Sequence, residues 1–300
     1  MSTWPELHYD DWKDTLATLQ LWTQIAGKIR LKQEPLVNHW WNVTLYPSAR
    51  GLTTSPMPYE SRSFEILFDF VDHELRVDDS EGRSSAFPLE PMSVAEFYAR
   101  VMKSLDELGI KIAINTKPNE VAEAIPLDED TVHHSYDREY AQRFWRVLLQ
   151  ISRLSEIFRA GFLGKASRAH FFWGSFDLAQ SLFSGRPAPP HPGGFPNLPD
   201  WVTLEAYSRE VFSVGFWPGG FGLDAMLYAY IYPIPTGLEQ ATIRPETAGW
   251  NEQMREFLLP YEAARTATDP DRCVLEFFRS TYAAAADCAG WDRTALERNS

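Results

Sequence analysis

The sequence predicts an α+β protein in which antiparallel sheets are flanked by helices. Three observations carry this. Apolar residues recur every three or four positions in four separate segments, the spacing of helices with one buried face. Between those segments the apolar period drops to two, the spacing of half-buried strands. The alternating stretches come in groups rather than singly between helices, which favours meanders over parallel β-α-β units.

The first helix is marked by Trp12, Leu16, Leu19, Trp22, Ile25 and Ile29. His39 to Tyr46, rich in aromatic and β-branched residues, reads as a strand. Phe64, Ile66, Phe68 and Phe70 alternate, Leu75 and Val77 follow, and a turn at Asp78 to Gly82 leads to Phe87 and Leu89. Ser93 and Glu96 form a capping box, each side chain placed to satisfy the other residue's amide, before a helix on Val94, Phe97, Val101, Leu105 and Leu108. Asp137 caps a third helix on Tyr140, Phe144, Val147, Ile151, Leu154 and Phe158. His170 to Leu178, Glu210 to Phe216 and Met226 to Tyr232 read as strands, and Asp269-Pro270 as the cap and first residue of a final helix.

Shifting the first half by 131 positions lays helix on helix and His39-Trp40-Trp41 on His170-Phe171-Phe172. One reading is therefore two tandem copies of a helix–strands–helix unit, and the other a single mixed sheet without repetition. The expected layout is a first half over 1–113, a connector over 114–136, and a second half over 137–300 holding a long Pro/Gly-rich loop at 184–220. If the copies are real, their sheets can continue into each other, and a cleft at the junction is the natural site.

With 28 Lys and Arg against 41 Asp and Glu in 300 residues, the chain carries a formal charge of −13. That charge repels phosphate backbones, so no nucleic-acid partner is expected. No stretch nears the ~18 apolar residues of a membrane helix, and the first residues lack the basic and apolar regions of a secretory signal, so neither membrane nor export is expected. Cys273 and Cys288 fall in one helical pattern, ~22 Å apart along it, too far to bridge. Two reduced thiols fit a cytoplasmic protein.

The blocks Asn38-His-Trp-Trp41, Ala49-Arg-Gly-Leu-Thr-Thr-Ser55, His170-Phe-Phe-Trp-Gly-Ser-Phe-Asp177, Ser184-Gly-Arg-Pro-Ala-Pro-Pro-His-Pro-Gly-Gly194 and Gly215-Phe-Trp-Pro-Gly-Gly220 resemble an uncharacterised bacterial family, a domain of unknown function. The resemblance runs from about Trp12 to Trp291. It implies no activity, cofactor or site residue. Relatives carry His where this chain has Arg209, which speaks against a metal or acid–base role there.

The densest chemistry lies in 165–220. His170, His191, Asp177 and Glu210 are the candidates for acid–base work, since histidine titrates near neutrality and a carboxylate beside it fixes its tautomer. His170 and Asp177 differ by an odd number, so on one regular strand they face opposite sides unless Gly174 makes a bulge. The alternative is a hydrogen-bonded histidine at a strand start and a loop-capping aspartate. Arg50 and Arg186 are candidates for holding an anionic group, or for ion pairs that staple their loops. His39, Trp41, Trp173, Trp217, Tyr228 and Tyr230 are candidates for lining a pocket, with core packing as the alternative. Glu65 and Glu205 are further carboxylates flanked by aromatic sequence. No motif names a cofactor. A divalent metal on His39, His170, His191 and Glu210 is one option. The expectation is an enzyme on a polar, neutral or anionic small molecule, using His and carboxylate acid–base chemistry. The alternative is a non-catalytic protein that binds a small molecule or a partner in an aromatic-lined pocket.

Overall fold

A computed structural model describes residues 3–298 of the chain. Helix α1 (Tyr9–Gln33) leads into strands β1 (Tyr46–Pro47), β2 (Gly51–Thr53), β3 (Met57–Tyr59), β4 (Arg62–Asp69), β5 (Glu74–Asp79) and β6 (Ser84–Pro88), then helix α2 (Val94–Glu107). After a connector without helix or strand comes α3 (Arg138–Arg159), followed by β7 (His170–Phe172), β8 (Asp177–Pro187), the short α4 (Asp200–Ala206), β9 (Arg209–Trp217), β10 (Met226–Tyr232), β11 (Gly249–Asn251) and β12 (Glu256–Pro260). Helices α5 (Tyr261–Arg265), α6 (Pro270–Cys288) and α7 (Arg293–Leu296) close the chain.

The fold is α+β, as expected. The first sheet runs β1-β2-β4-β5-β6 with β3 added on β4, and the second runs β11-β12-β10-β9-β8-β7, every pairing antiparallel. The sheets meet edge to edge. Leu45 and Phe171 exchange both backbone hydrogen bonds at 2.9 Å. Helix α3 lies beneath this junction, touching β1 and β2 on one side and β8 and β9 on the other. Its Phe144 packs on Phe171 and Phe176 at centroid distances of 6.0 and 5.2 Å. In the first half Trp22 of α1 stacks on Phe97 of α2 at 4.5 Å, and Phe97 covers Phe68 of β4.

The expected caps form. Asp137 accepts the Glu139 and Tyr140 amides, and Asp269 accepts that of Arg272. At α2 only half the box closes. Ser93 accepts the Glu96 amide, while the Glu96 carboxylate pairs with Arg100. Two strand expectations need correction. His39 to Tyr46 is not a strand: Asn38–Val43 is a pair of tight turns, with His39 and Trp40 in the left-handed region at φ 60° and 62°. The indoles and imidazole are drawn inward from this turn, and strand geometry is left to Tyr46–Pro47. The alignment of His39-Trp40-Trp41 with His170-Phe171-Phe172 therefore matches a turn with a strand. Nor is His170 to Leu178 one strand. It is a hairpin that turns over 173–176. Cys273 is buried and Cys288 exposed, both free. No helix among the described residues is long and apolar enough to cross a membrane.

Candidate functional site

The second sheet has two unlike faces because its strands alternate. On β10, Leu227, Ala229 and Ile231 turn to the core, and Tyr228, Tyr230 and Tyr232 turn the other way. Register extends this second face across the sheet. Tyr230 lies opposite Ser213, which lies opposite Ser181, and Tyr228 lies opposite Gly215, which lies opposite Ala179. Glu256 opens β12 one step past the Ala229–Phe257 pair, beside Tyr230. A face this polar would suit solvent, yet it is roofed. The proline-rich stretch 188–199 and α4 fold over it, and the connector joins them. The Glu120 amide donates to Pro196 O at 2.9 Å, Asn119 Nδ2 to Asn197 O at 2.7 Å, and Asn197 Nδ2 to Val121 O at 2.6 Å. Helix α1 anchors the connector, since Lys28 Nζ donates to Asn119 Oδ1 and Gln24 Nε2 to Asn119 O. Tyr232 pins the roof by donating to the carbonyls of Pro189 and Pro190 at 3.1 Å.

Under this roof, polar groups meet without a cation among the described residues. Asp177 is enclosed and accepts hydrogen bonds from the Tyr228 and Ser175 hydroxyls. The Tyr228 ring reaches it across Gly215, where any Cβ would stand 2.3 Å from the ring tip. Tyr228 stacks on Tyr230 at 6.1 Å, and the Tyr230 and Tyr207 hydroxyls are 3.1 Å apart. Burial raises the Asp177 carboxyl above its usual range, against the two hydroxyls that favour its charge. Burial, with the Asp177 charge adding to it, pushes Glu120 and Glu256 up to about 7. The phenols of Tyr207, Tyr228 and Tyr230 are all held up by burial. Glu120, Glu256, Tyr207 and Tyr230 are largely enclosed by protein, and each keeps some accessible surface. The Glu120 carboxylate rests against the Cα of Gly174, in the β7–β8 turn.

Of the expected residues, this carboxyl–tyrosine cluster takes in Asp177, Tyr228 and Tyr230, with His191 in its roof. His191 stacks on Tyr207 at 4.5 Å, and its Nδ1 accepts the Gly193 amide, leaving Nε2 as the protonated nitrogen of the neutral ring. Trp217 lies in register with Met226 at the far end of the same face. The rest are elsewhere. His170 and Asp177 share a face because the hairpin, and not a bulge at Gly174, reverses the chain, and Asp177 pairs with Phe172. They do not touch. His170 is instead wedged among Trp41, Tyr46 and Phe172 at 5.4 to 6.0 Å. Burial and the charges of Arg168, Arg30 and Arg159 push its imidazole down to about 3, so it is a neutral ring and no proton shuttle near pH 7. His39 gives its Nδ1 to Ala206 O at 2.8 Å and packs on Trp41 and Phe183.

Glu210 faces the helices, the opposite side from Asp177. It accepts from Ser184 and pairs with Arg186 at 2.7 Å, and Arg186 goes on to the Ala289 and Gly290 carbonyls just past the C-terminal end of α6. Arg50 pairs with Asp69 and Asp72 on the first sheet. Both arginines are loop staples and form no common anion site. Trp173 is a strut: its Nε1 donates to Val43 O at 2.7 Å, and its ring fills the place of the missing Cβ of Gly27 in α1. Glu65 takes the Thr53 hydroxyl, away from the hollow. Among the described residues no group of three His, Cys, Asp or Glu side chains could hold a metal ion, and His39, His170, His191 and Glu210 are scattered over both faces of the sheet. A groove of about 690 Å³ on the outer side of α6, edged by Arg244, Arg272, Arg279 and Arg293, contains none of the expected residues.

Glu120, Glu256 and Tyr207 were not singled out from sequence. Tyr207 stands in the same dense stretch as the others. Glu256 alternates with Phe257 and Leu259 as an outward-facing strand residue. Glu120 sits in an irregular connector and carries no local signal. No curated protein and no solved structure matches the chain. The family assignment rests on nearly its whole length: residues 4–298 match DUF5996, a family of unknown function, and the chain belongs to that family.

Proposed function

We propose that the hollow under the 188–199 roof binds a small polar organic molecule carrying a basic group, and that Glu120, Glu256 and the Asp177–Tyr228 pair exchange protons with it. The observation that carries this reading is three enclosed carboxyls, two of them held near 7, gathered on buried tyrosines with no Lys or Arg among them. Enclosed carboxyls are costly unless a ligand or a proton answers them, and a carboxyl that titrates near 7 is suited to give and take protons at neutral pH. Backbone strain supports it as well. Glu120 in the connector, Phe176 in the β7–β8 turn and Asn197 in the roof are held in the left-handed region, at a cost on the order of 1–3 kcal/mol each.

Arg50 and Arg186 are occupied by carboxylates, which speaks for a basic rather than an anionic ligand here. The net charge of −13 speaks against nucleic acid, and an exposed free Cys288 suits the cytoplasm. A tandem duplication is supported by the repeated order of helix, antiparallel meander and helix. The paired Leu45 and Phe171 are 126 apart, as are Gln33 and Arg159, where α1 and α3 end.

The test is a panel of small amines and guanidines followed by calorimetric titration and by turnover assay, with Tyr228→Phe beside the wild-type chain. Saturable binding of an amine that weakens roughly tenfold in Tyr228→Phe, as expected for losing one hydrogen bond to a charged group, supports the reading. Binding that is indifferent to Tyr228→Phe and to Glu256→Gln contradicts it.

A further inference from the structure

The other end of the same sheet face, around His170, is left unused by that reading. His170 lies between two rings, with Trp41 at 5.4 Å and Tyr46 at 5.6 Å. Each ring carries a cation. Lys165 Nζ stands 5.2 Å from the Trp41 centroid, and the Arg168 guanidinium stands 4.6 Å from that of Tyr46. A third cation, Arg30, shares the Tyr46 ring at 5.4 Å. Arg30 has Glu34 at 3.5 Å and Arg159 has Glu156 at 2.6 Å, but among the described residues Lys165 and Arg168 pair with no carboxylate. This neighbourhood's other histidine, His39, feels the Glu205 carboxylate and the Lys165 and Arg209 charges. Two buried polar atoms here, Arg30 Nε and His170 Nδ1, have no hydrogen-bond partner. In a chain of net charge −13 this is a local excess of positive charge, and the rings hold two of its cations in place before anything binds.

We propose that this is an oxyanion site, in which the exposed Lys165 and Arg168 straddle the His170 edge and take a small phosphate- or sulfate-like group between them. An oxyanion held between the two side chains accepts the N–H groups of both. The site is separate from the carboxyl hollow and does not depend on it.

The experiment is a titration of the full chain with sodium sulfate, the ionic strength held constant with sodium chloride, followed by NMR of histidine ring nuclei. The His170 signal is identified by its loss in His170→Gln. The expected result is a saturable shift of the His170 signal, with affinity at least about tenfold weaker in the Lys165→Gln/Arg168→Gln double variant. Both of those side chains are exposed, so the variant keeps its fold. A His170 signal that does not move, or one that moves identically in the double variant, overturns the proposal.

Discussion

Replacing Glu120 and Glu256 with glutamine stabilises the protein at pH 8 and removes two of the three carboxyls of the proposed ligand site. Each carboxyl titrates near 7 in the folded chain against an ordinary 4.5. Between those two values the unfolded chain has released protons that the folded chain still holds, so stability falls as pH rises through the window. Below pH 4.5 neither carboxyl costs anything, and above about 7 the full cost is present. That cost is up to ~3 kcal/mol for each group, and less than twice that for both because they share the field of Asp177. Glutamine keeps the shape and removes the charge. Urea unfolding at pH 4.5 and pH 8 checks this. The double variant gains stability over the wild type at pH 8 and loses that advantage at pH 4.5. A variant less stable than the wild type at pH 8 would show that the two carboxylates are satisfied as they stand. Stability bought back by removing a charged site is a recurrent trade in functional pockets.

His170 dominates the acid side. Its ring is held neutral down to about 3, whereas an exposed imidazole takes a proton near 6.5. As pH falls from 6.5 towards 3, the unfolded chain binds a proton that the folded chain refuses, and stability is lost by up to ~5 kcal/mol. His170→Phe removes the titration and packs a ring among Trp41, Tyr46 and Phe172. The difference in unfolding free energy between wild type and variant, followed from pH 7 to pH 4, isolates this group from the carboxyls that titrate alongside. It widens in favour of the variant as pH drops. A difference that stays constant with pH would mean that His170 is protonated in the fold, with a partner the geometry does not contain.

The elements were legible where local pattern and tertiary context agree. The alternation of Met226 to Tyr232 marks β10 and separates its core face from its tyrosine face, and Asp137 and Asp269 announce the helices they cap. Pattern failed where tertiary packing overrode propensity. His39 and Trp40 have strand-forming neighbours, yet adopt consecutive left-handed conformations, because the turn brings the His39 ring onto Phe183 and the Trp40 ring onto Trp201. The turn at 173–176 carries Gly174-Ser175, a hairpin-type dipeptide, but apolar Trp173 and Phe176 on either side make the stretch read as continuous strand, and its left-handed residue is Phe176. The candidate site was half legible. Asp177, Tyr228 and Tyr230 sit in aromatic, chemistry-rich sequence. Glu120 comes from an irregular connector more than fifty residues upstream, and nothing short of the folded chain places it against the Gly174 turn. The histidines misled for a physical reason: aromatic surroundings that make a histidine conspicuous in sequence also desolvate it and hold it neutral.

The central claim is that Glu120 and Glu256 hold their protons near neutrality because they are buried beside Asp177, with no counter-charge among the described residues. Carboxyl-carbon NMR of glutamate-labelled protein, with each signal assigned by its Glu→Gln variant, reads this directly. Midpoints near 7 for both residues, moving when a bound amine answers the charge, are what the geometry predicts. Midpoints near 4.5, unmoved by any amine, would contradict it.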